Sequence, residues 1–301
     1  MKKRINILII GGTGFIGYHL SKKCIEKKWS VTSLSTKKPK RKRYLKKVNY
    51  VLCDISKKNQ IKSKIKKYYD YVVNLGGHVD HKNLKKTYQS HYLGVKNLVE
   101  IFLFKRPKLF LQMGSAGEYG KISSPHKEKH LGISSSSIYN NSKLLASKFL
   151  LKLFEEKGFP VTILRLYQAY GPKQDTNRLI PIVIASCIKN KKFGCSNGKQ
   201  IRDFIYIEDV IKLIMKCFSN KSSIKGQIIN LGSGKPIMVK KLIEKIRLFV
   251  GQGFPQFGKI KMRKDEVLKS YPSILKARKK LNWKPKVSLD RGLNLTIKSF
   301  K

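Results

Sequence analysis

The stretch Ile5-Asn6-Ile7-Leu8-Ile9-Ile10-Gly11-Gly12-Thr13-Gly14-Phe15-Ile16-Gly17 constrains the fold more than any other part of the chain. Its opening residues are apolar without alternation, which predicts a strand buried on both faces. A glycine turn follows, and Tyr18 to Ile25 then continues at helical spacing. Gly12, Gly14 and Gly17 satisfy the spacing G-x-G-x-x-G, and Gly11, Gly14 and Gly17 its G-x-x-G-x-x-G variant. Glycine lets the chain turn tightly, lets the backbone approach a pyrophosphate and lets a helix pack close on a strand. The unpaired amides and positive dipole end of that helix would then hold the phosphates. A purely structural βα turn has the same outline, but the position between strand and helix at the head of an alternating pattern favours a dinucleotide site. Gly11, Gly14, Phe15, Ile16 and Gly17 are its candidate cofactor contacts.

Further strands are expected at Val31–Leu34, Val48–Leu52, Tyr71–Leu75, Lys108–Met113, Val161–Leu166 and Gln227–Leu231. Helical spacing recurs between them, at Ile61 and Ile65, around Leu93 to Phe102, and from Ser137 to about Glu156. This alternation predicts an α/β fold with a doubly wound parallel sheet. Past Gly171-Pro172 it weakens. Residues 1–171 and 201–234 are therefore expected to form a Rossmann NAD(P)-binding domain. Residues 172–200 and 235–301 are expected to form a smaller substrate-binding cap over the carboxyl ends of the strands, where ligands bind in such sheets.

With 301 residues the chain can bury a sizeable core. No apolar run approaches the ~20 residues of a membrane span, and a first strand at Ile5 leaves no room for a targeting peptide. Cys24, Cys53, Cys187, Cys195 and Cys217 are widely spaced and predict neither a disulfide framework nor a zinc site. The histidines likewise show no metal-ligand spacing. A reduced, cytoplasmic setting is the expectation. The 66 basic against 17 acidic residues give a net charge of +49, a field that would attract any polyanion. Yet the excess is mostly lysine spread over nearly every predicted helix and loop, so it reads equally well as a solvated surface.

Ser35 follows the second strand, at the place where NAD-binding units usually carry an acid for the ribose 2′-hydroxyl. Thr36, Lys37 and a basic run to Arg43 follow. A carboxylate would repel a 2′-phosphate, whereas hydroxyls and cations would bind it, so NADP(H) is favoured and NAD(H) stays possible. Tyr139-Asn140-Asn141-Ser142-Lys143 puts a phenol and an ammonium one helical turn apart on one face. A nearby cation favours the phenolate and should lower the tyrosine pKa from about 10 towards the working range. Ser115, at the mouth of the fifth strand, could bond the same substrate oxygen. Ser115, Tyr139 and Lys143 are the candidate catalytic residues.

These motifs resemble the extended short-chain dehydrogenase/reductases of the NAD(P)-dependent epimerase/dehydratase family. The resemblance continues through Ser115 to Gly120, Arg165 to Pro172, Arg202 to Val210, Asn230 to Pro236 and Ala277 to Pro285. It implies that Tyr139 exchanges a proton with a sugar hydroxyl or ketone, that Lys143 tunes it and bonds the nicotinamide ribose, and that Ser115 orients the substrate oxygen. Asp54 and Ile55 match adenine contacts, and Leu75 lies among the implied cofactor contacts. Arg202 matches an arginine that pairs with a sugar nucleotide's diphosphate, and Arg263 falls where a further nucleotide contact is common. Gln168 and His91 stand where the family often has asparagines. The family's 4,6-dehydratases carry an acid directly after the residue matching Ser115; Ala116 and Gly117 stand there, and Glu118 would have to be re-aimed.

The resemblance thus implies NADPH-dependent reduction of a nucleotide-linked 4-keto-6-deoxyhexose at C4. The tail from Gly253 to Glu266 looks like that of the family's CDP- or dTDP-deoxysugar (paratose- and abequose-type) synthases. The alternative is a redox-neutral 4-epimerase on an NDP-sugar. A nucleic-acid-binding protein on the same fold would explain the run Lys37 to Lys47, but would have no need of Ser115, Tyr139 and Lys143. Family members often dimerise through the helices bearing Tyr139 and around Leu93 to Phe104, so a homodimer is expected.

Overall fold

Side chains alternate across a strand, and that alternation divides the interior into two cores. The computed structural model describes residues 4–78, 83–262 and 266–300. Its main sheet contains β1 (Asn6–Ile10), β2 (Ser30–Ser35), β3 (Val48–Leu52), β4 (Tyr71–Asn74), β5 (Leu109–Ser115), β6 (Val161–Leu166) and the strand Gln227–Leu231. All are parallel, in the spatial order β3-β2-β1-β4-β5-β6 followed by Gln227–Leu231. Ile7, Ile9, Val73, Leu111, Leu164 and Ile229 face one core, where Leu20 and Cys24 of α1 (Phe15–Glu26) and the helix Ile207–Ser219 pack. Leu8, Ile10, Val72, Phe110, Ile163 and Ile228 face the other. That core is closed by α2 (Lys58–Lys64), by α4 (Gly94–Phe104), which continues from α3 (Leu84–Tyr88), and by α5 (Ile138–Lys157). Burial on both faces explains the uninterrupted apolar runs. The sheet is doubly wound, and its order reverses between β1 and β4, which opens a crevice at the carboxyl ends of those strands.

Two local features set the site. Between α3 and α4 the helix widens into a π turn at Gln89–Leu93, which carries His91. Helix α5 is capped by Ser137, whose hydroxyl accepts from Asn140 N, and ends at Gly158 with φ +61°. That cap sets the helix start, and hence the direction in which Tyr139 leaves the first turn.

The remainder forms a second, smaller layer. Ile201–Tyr206 is paired with Gln168–Tyr170, Pro236–Met238 and Lys269–Ser270, and Lys192–Gly194 pairs with Phe254–Gln256. This small sheet grows directly from the main one: Tyr167 N donates to Leu231 O at 3.0 Å just before Gln168 pairs with Phe204. Ile201–Tyr206, assigned to the larger domain on sequence, is the centre of this separate sheet. Among the described residues no helix is long and apolar enough to cross a membrane.

Candidate active site

The glycine turn is built as its spacing predicts. Gly11 adopts φ +76°, and a Cβ there would come within 3.0 Å of the Leu75–Gly76 backbone, so only glycine fits this approach between the β1 and β4 ends. A Cβ on Gly17 would collide with the Gly11 carbonyl, so α1 lies directly on the turn. Gly14 forms the N-cap of α1, and no side chain caps its first turn or supplies an acid there. The first amides of α1 are therefore presented without a competing carboxylate or hydroxyl, as a dinucleotide's phosphates require. A Cβ on Gly14 would meet only the Gly11 carbonyl, at 3.2 Å, so this cradle stays open to a ligand.

Around it lie the other residues expected to hold a dinucleotide. Ser35 is buried, and its hydroxyl accepts from Thr13 N of the glycine turn at 3.4 Å, while Thr36 and Lys37 are exposed. Asp54 accepts through Oδ1 from Ser56 N at 2.9 Å and Ser56 Oγ at 2.8 Å. Ile55 is buried, and its carbonyl is held by Asn97 Nδ2 of α4 at 3.0 Å. Leu75 N donates to Ile10 O at 2.9 Å, which ties the β4 end to β1. Glycine cradle, bare helix end and half-buried acid together fit a nicotinamide dinucleotide.

The basic run after Ser35 is not uniform. Arg43 is only 3 % exposed and donates to Lys173 O through Nε at 3.0 Å and Nη2 at 2.5 Å, and it pairs with Asp175 at 3.1 Å. Lys173 returns a bond from Nζ to Lys42 O at 2.6 Å. Arg43 is thus committed to a clasp between the β2–β3 connection and the start of the cap. Lys37 and Lys38 remain exposed.

The three candidate catalytic residues converge from two elements. Ser115 ends β5 and caps the short turn Ala116–Tyr119, its hydroxyl accepting from Gly117 N at 3.1 Å. Tyr139, in the first turn of α5, is hydrogen-bonded to the Ser115 side chain and touched edge-on by His91, with ring centroids 4.9 Å apart. Lys143, one turn further, is 5 % exposed, and its Nζ donates to Met113 O at 2.7 Å. Burial pushes the Lys143 ammonium down to about 8, opposed by the Glu118 charge.

The expected lowering of Tyr139 is not what this environment produces. Burial raises its pKa, and the Ser115 hydrogen bond acts the other way. Lysine at this spacing turns its charge to the Met113 carbonyl, whereas desolvation of a phenolate acts at once. The exposed Arg178, at the start of the helix Leu179–Ile188, also lowers Tyr139, and sequence reasoning missed it. Nothing near it in sequence signals this, because the cap loop alone carries it there.

Glu118 is fully buried beneath the three. Its Oε1 accepts from Ser115 N at 2.7 Å, and its Oε2 accepts from Ser147 Oγ at 2.7 Å and Arg165 Nε at 3.0 Å. It points into the core rather than at a substrate. His126 has a structural place: it is buried, bonds Tyr167 Oη at 2.8 Å and is pushed by burial down to about 4.

The candidate substrate contacts lie in the cap. Gln168 is exposed on the strand beside Phe204. Arg202 pairs with Glu266 and donates to Ile201 O at 2.8 Å and Leu268 O at 3.2 Å. Arg263 lies outside the described residues.

Known proteins place these features. The chain is 28% identical over 308 residues to a putative UDP-glucose 4-epimerase of Methanocaldococcus jannaschii, covering 98% of both. It is 26% identical over 295 residues to the CDP-abequose synthase of Salmonella muenchen, covering 95% of both. In fold it matches an epimerase from Methanothermobacter thermautotrophicus with a TM-score of 0.92 at 23% identity, over 99% of this chain and 92% of the other. Residues 7–232 match the NAD dependent epimerase/dehydratase family across the glycine turn, Ser115, Tyr139 and Lys143, and the chain belongs to that family of nucleotide-sugar-modifying enzymes.

Proposed function

We propose that the protein reduces the 4-keto group of a nucleotide-diphosphate-linked 4-keto-6-deoxyhexose, with NADPH as the hydride source. The observation that carries this reading is the gathering of Ser115, Tyr139 and Lys143 at the β5 end, with Ala116 and Gly117 where an elimination acid would stand. Glu118 is bound on both oxygens within the core. Among the described residues the site therefore has a proton donor and an oxygen-binding hydroxyl but no free acid for removing water across C5 and C6.

A bound nicotinamide would supply hydride to C4. Ser115 would donate to the substrate oxygen and hold it beside Tyr139. Tyr139, kept protonated by burial, would give its phenolic proton to O4 as negative charge develops there. The Lys143 ammonium would stabilise the phenolate left behind. Arg202 would exchange Glu266 for the substrate diphosphate, a task suited to a guanidinium fork. Ser35, Thr36 and Lys37 would favour the 2′-phosphate of NADPH.

A redox-neutral 4-epimerase with NAD is the second reading. It is favoured by the engagement of Arg43 in the clasp, away from any 2′-phosphate, and by the relative from Methanocaldococcus jannaschii. Nicotinamide absorbance separates the two. Stoichiometric loss of NADPH with NDP-4-keto-6-deoxyhexoses supports reduction, whereas interconversion of UDP-sugars without net absorbance change overturns it. A homodimer through α4 and α5 belongs to the same proposal and is supported by the exposed Phe104 and Leu145 on those helices.

A further inference from the structure

We propose that Glu118 is a positioning residue for the catalytic group, its buried carboxylate fixing the Ser115 backbone and supplying the counter-charge beneath Tyr139 and Lys143. The proposal rests on the reading of Ser115, Tyr139 and Lys143 as the reacting set. Its basis is that one carboxylate serves three elements: Oε1 holds Ser115 N at the β5 end, while Oε2 holds Ser147 of α5 and Arg165 of β6. Ser147 lies one helical turn beyond Lys143, so Glu118 ties the helix bearing both Tyr139 and Lys143 to the strand bearing Ser115.

The surroundings are shaped around that carboxylate. A Cβ on Gly114 would lie 2.5 Å from Glu118 Oε1, so the residue preceding Ser115 makes the room. The Arg165 guanidinium lies 4.3 Å over the Tyr119 ring and donates to the carbonyls of His130, at 3.0 Å, and Leu131. The loop leading into α5 is thereby held by the same ion pair. Both partners are fully buried, so the pair cannot open to water without exposing the core.

Among the described residues the charged and titratable neighbours are few. Facing Lys143 is Glu118, and facing Tyr139 are Glu118, Arg178 and the His91 ring, with the Ser115 hydroxyl bonded to it. Glu118 is the one acid whose charge acts on both Tyr139 and Lys143 among these groups. Its removal should lower the pH at which Lys143 gives up its proton and let Ser115 drift from Tyr139.

Competitive acylation of lysines across a pH series, read by mass spectrometry, reports the Lys143 midpoint without substrate or turnover. In Glu118→Gln this midpoint is expected to fall by about one unit or more, and kcat to fall with substrate KM little changed. If that variant does not fold, Glu118→Gln combined with Arg165→Met removes both partners of the buried ion pair and gives the same readout. A folded variant with lower Tm but an unmoved Lys143 midpoint overturns the proposal. A wild-type protein without turnover on any nucleotide sugar, together with a shifted midpoint, supports the role of Glu118 and sinks the proposed reaction instead.

Discussion

One arginine–carboxylate pair lies beneath the candidate site and another in the cap, and water reaches them differently. Arg165 and Glu118 meet at 3.0 Å with neither side chain exposed, whereas Arg202 and Glu266 meet in the cap with 13% and 25% exposed. The chemistry of the partners is the same, and access of water separates them. In the core, losing one partner strands a charge in low dielectric, so the pair behaves as part of the scaffold. At the cap, water and ions compensate either partner, so in the proposed function a diphosphate would replace Glu266 at small cost. One pair holds Ser115 and the helix bearing Tyr139 and Lys143 in place, and the other is the one the proposed function would exchange for substrate.

The largest test of this contrast is Arg165→Met. It leaves Glu118 buried and unpaired and should lower unfolding free energy by about 3–5 kcal/mol in denaturant titration. Adding Glu118→Gln should recover most of that loss, and a single variant as stable as wild type would refute the contrast.

The next effect is one of pH. Lys143 drops from 10.5 in the unfolded chain to about 8 in the folded one. Both states are protonated below 8, so folding there carries the cost of a buried ammonium. As pH rises above that value the folded form releases its proton first, and unfolding free energy should rise by up to about 3 kcal/mol. Lys143→Met should remove that rise from a set of denaturant midpoints taken between pH 7 and about 10.

Arg202→Met should cost at most about 1 kcal/mol of stability while weakening nucleotide-sugar binding about tenfold or more. Titration calorimetry should find dinucleotide affinity unchanged, and equal loss for both ligands would place Arg202 outside the diphosphate site. Glu266→Gln is the smallest change. By freeing Arg202 it should leave substrate affinity equal or tighten it a few-fold, roughly the scale of an exposed pair.

The main sheet was readable because strands buried on both faces must be continuously apolar, as Ile7 to Ile10, Tyr71 to Val73 and Leu109 to Leu111 are. The glycine turn was readable because a bare helix end beside a strand tolerates little else, and the Tyr139–Lys143 spacing because a helical turn has a fixed length. The cap resisted. Gln168–Tyr170, Pro236–Met238 and Lys269–Ser270 are too short to show a period, and they become strands only by pairing along Ile201–Tyr206.

Local pattern, then, determined the doubly wound sheet and its glycine turn, and it singled out Ser115, Tyr139 and Lys143 as candidates. Tertiary structure alone decided what surrounds them: that Glu118 turns inward to Arg165, that Arg43 is spent on Lys173 and Asp175, that the charge of Arg178 acts on Tyr139, and that burial raises the phenol's pKa. The reason is range. Strand and helix periods are written over a few neighbouring residues, whereas charge pairing and desolvation depend on residues 47 positions apart for Arg165 and Glu118 and 132 for Arg43 and Asp175.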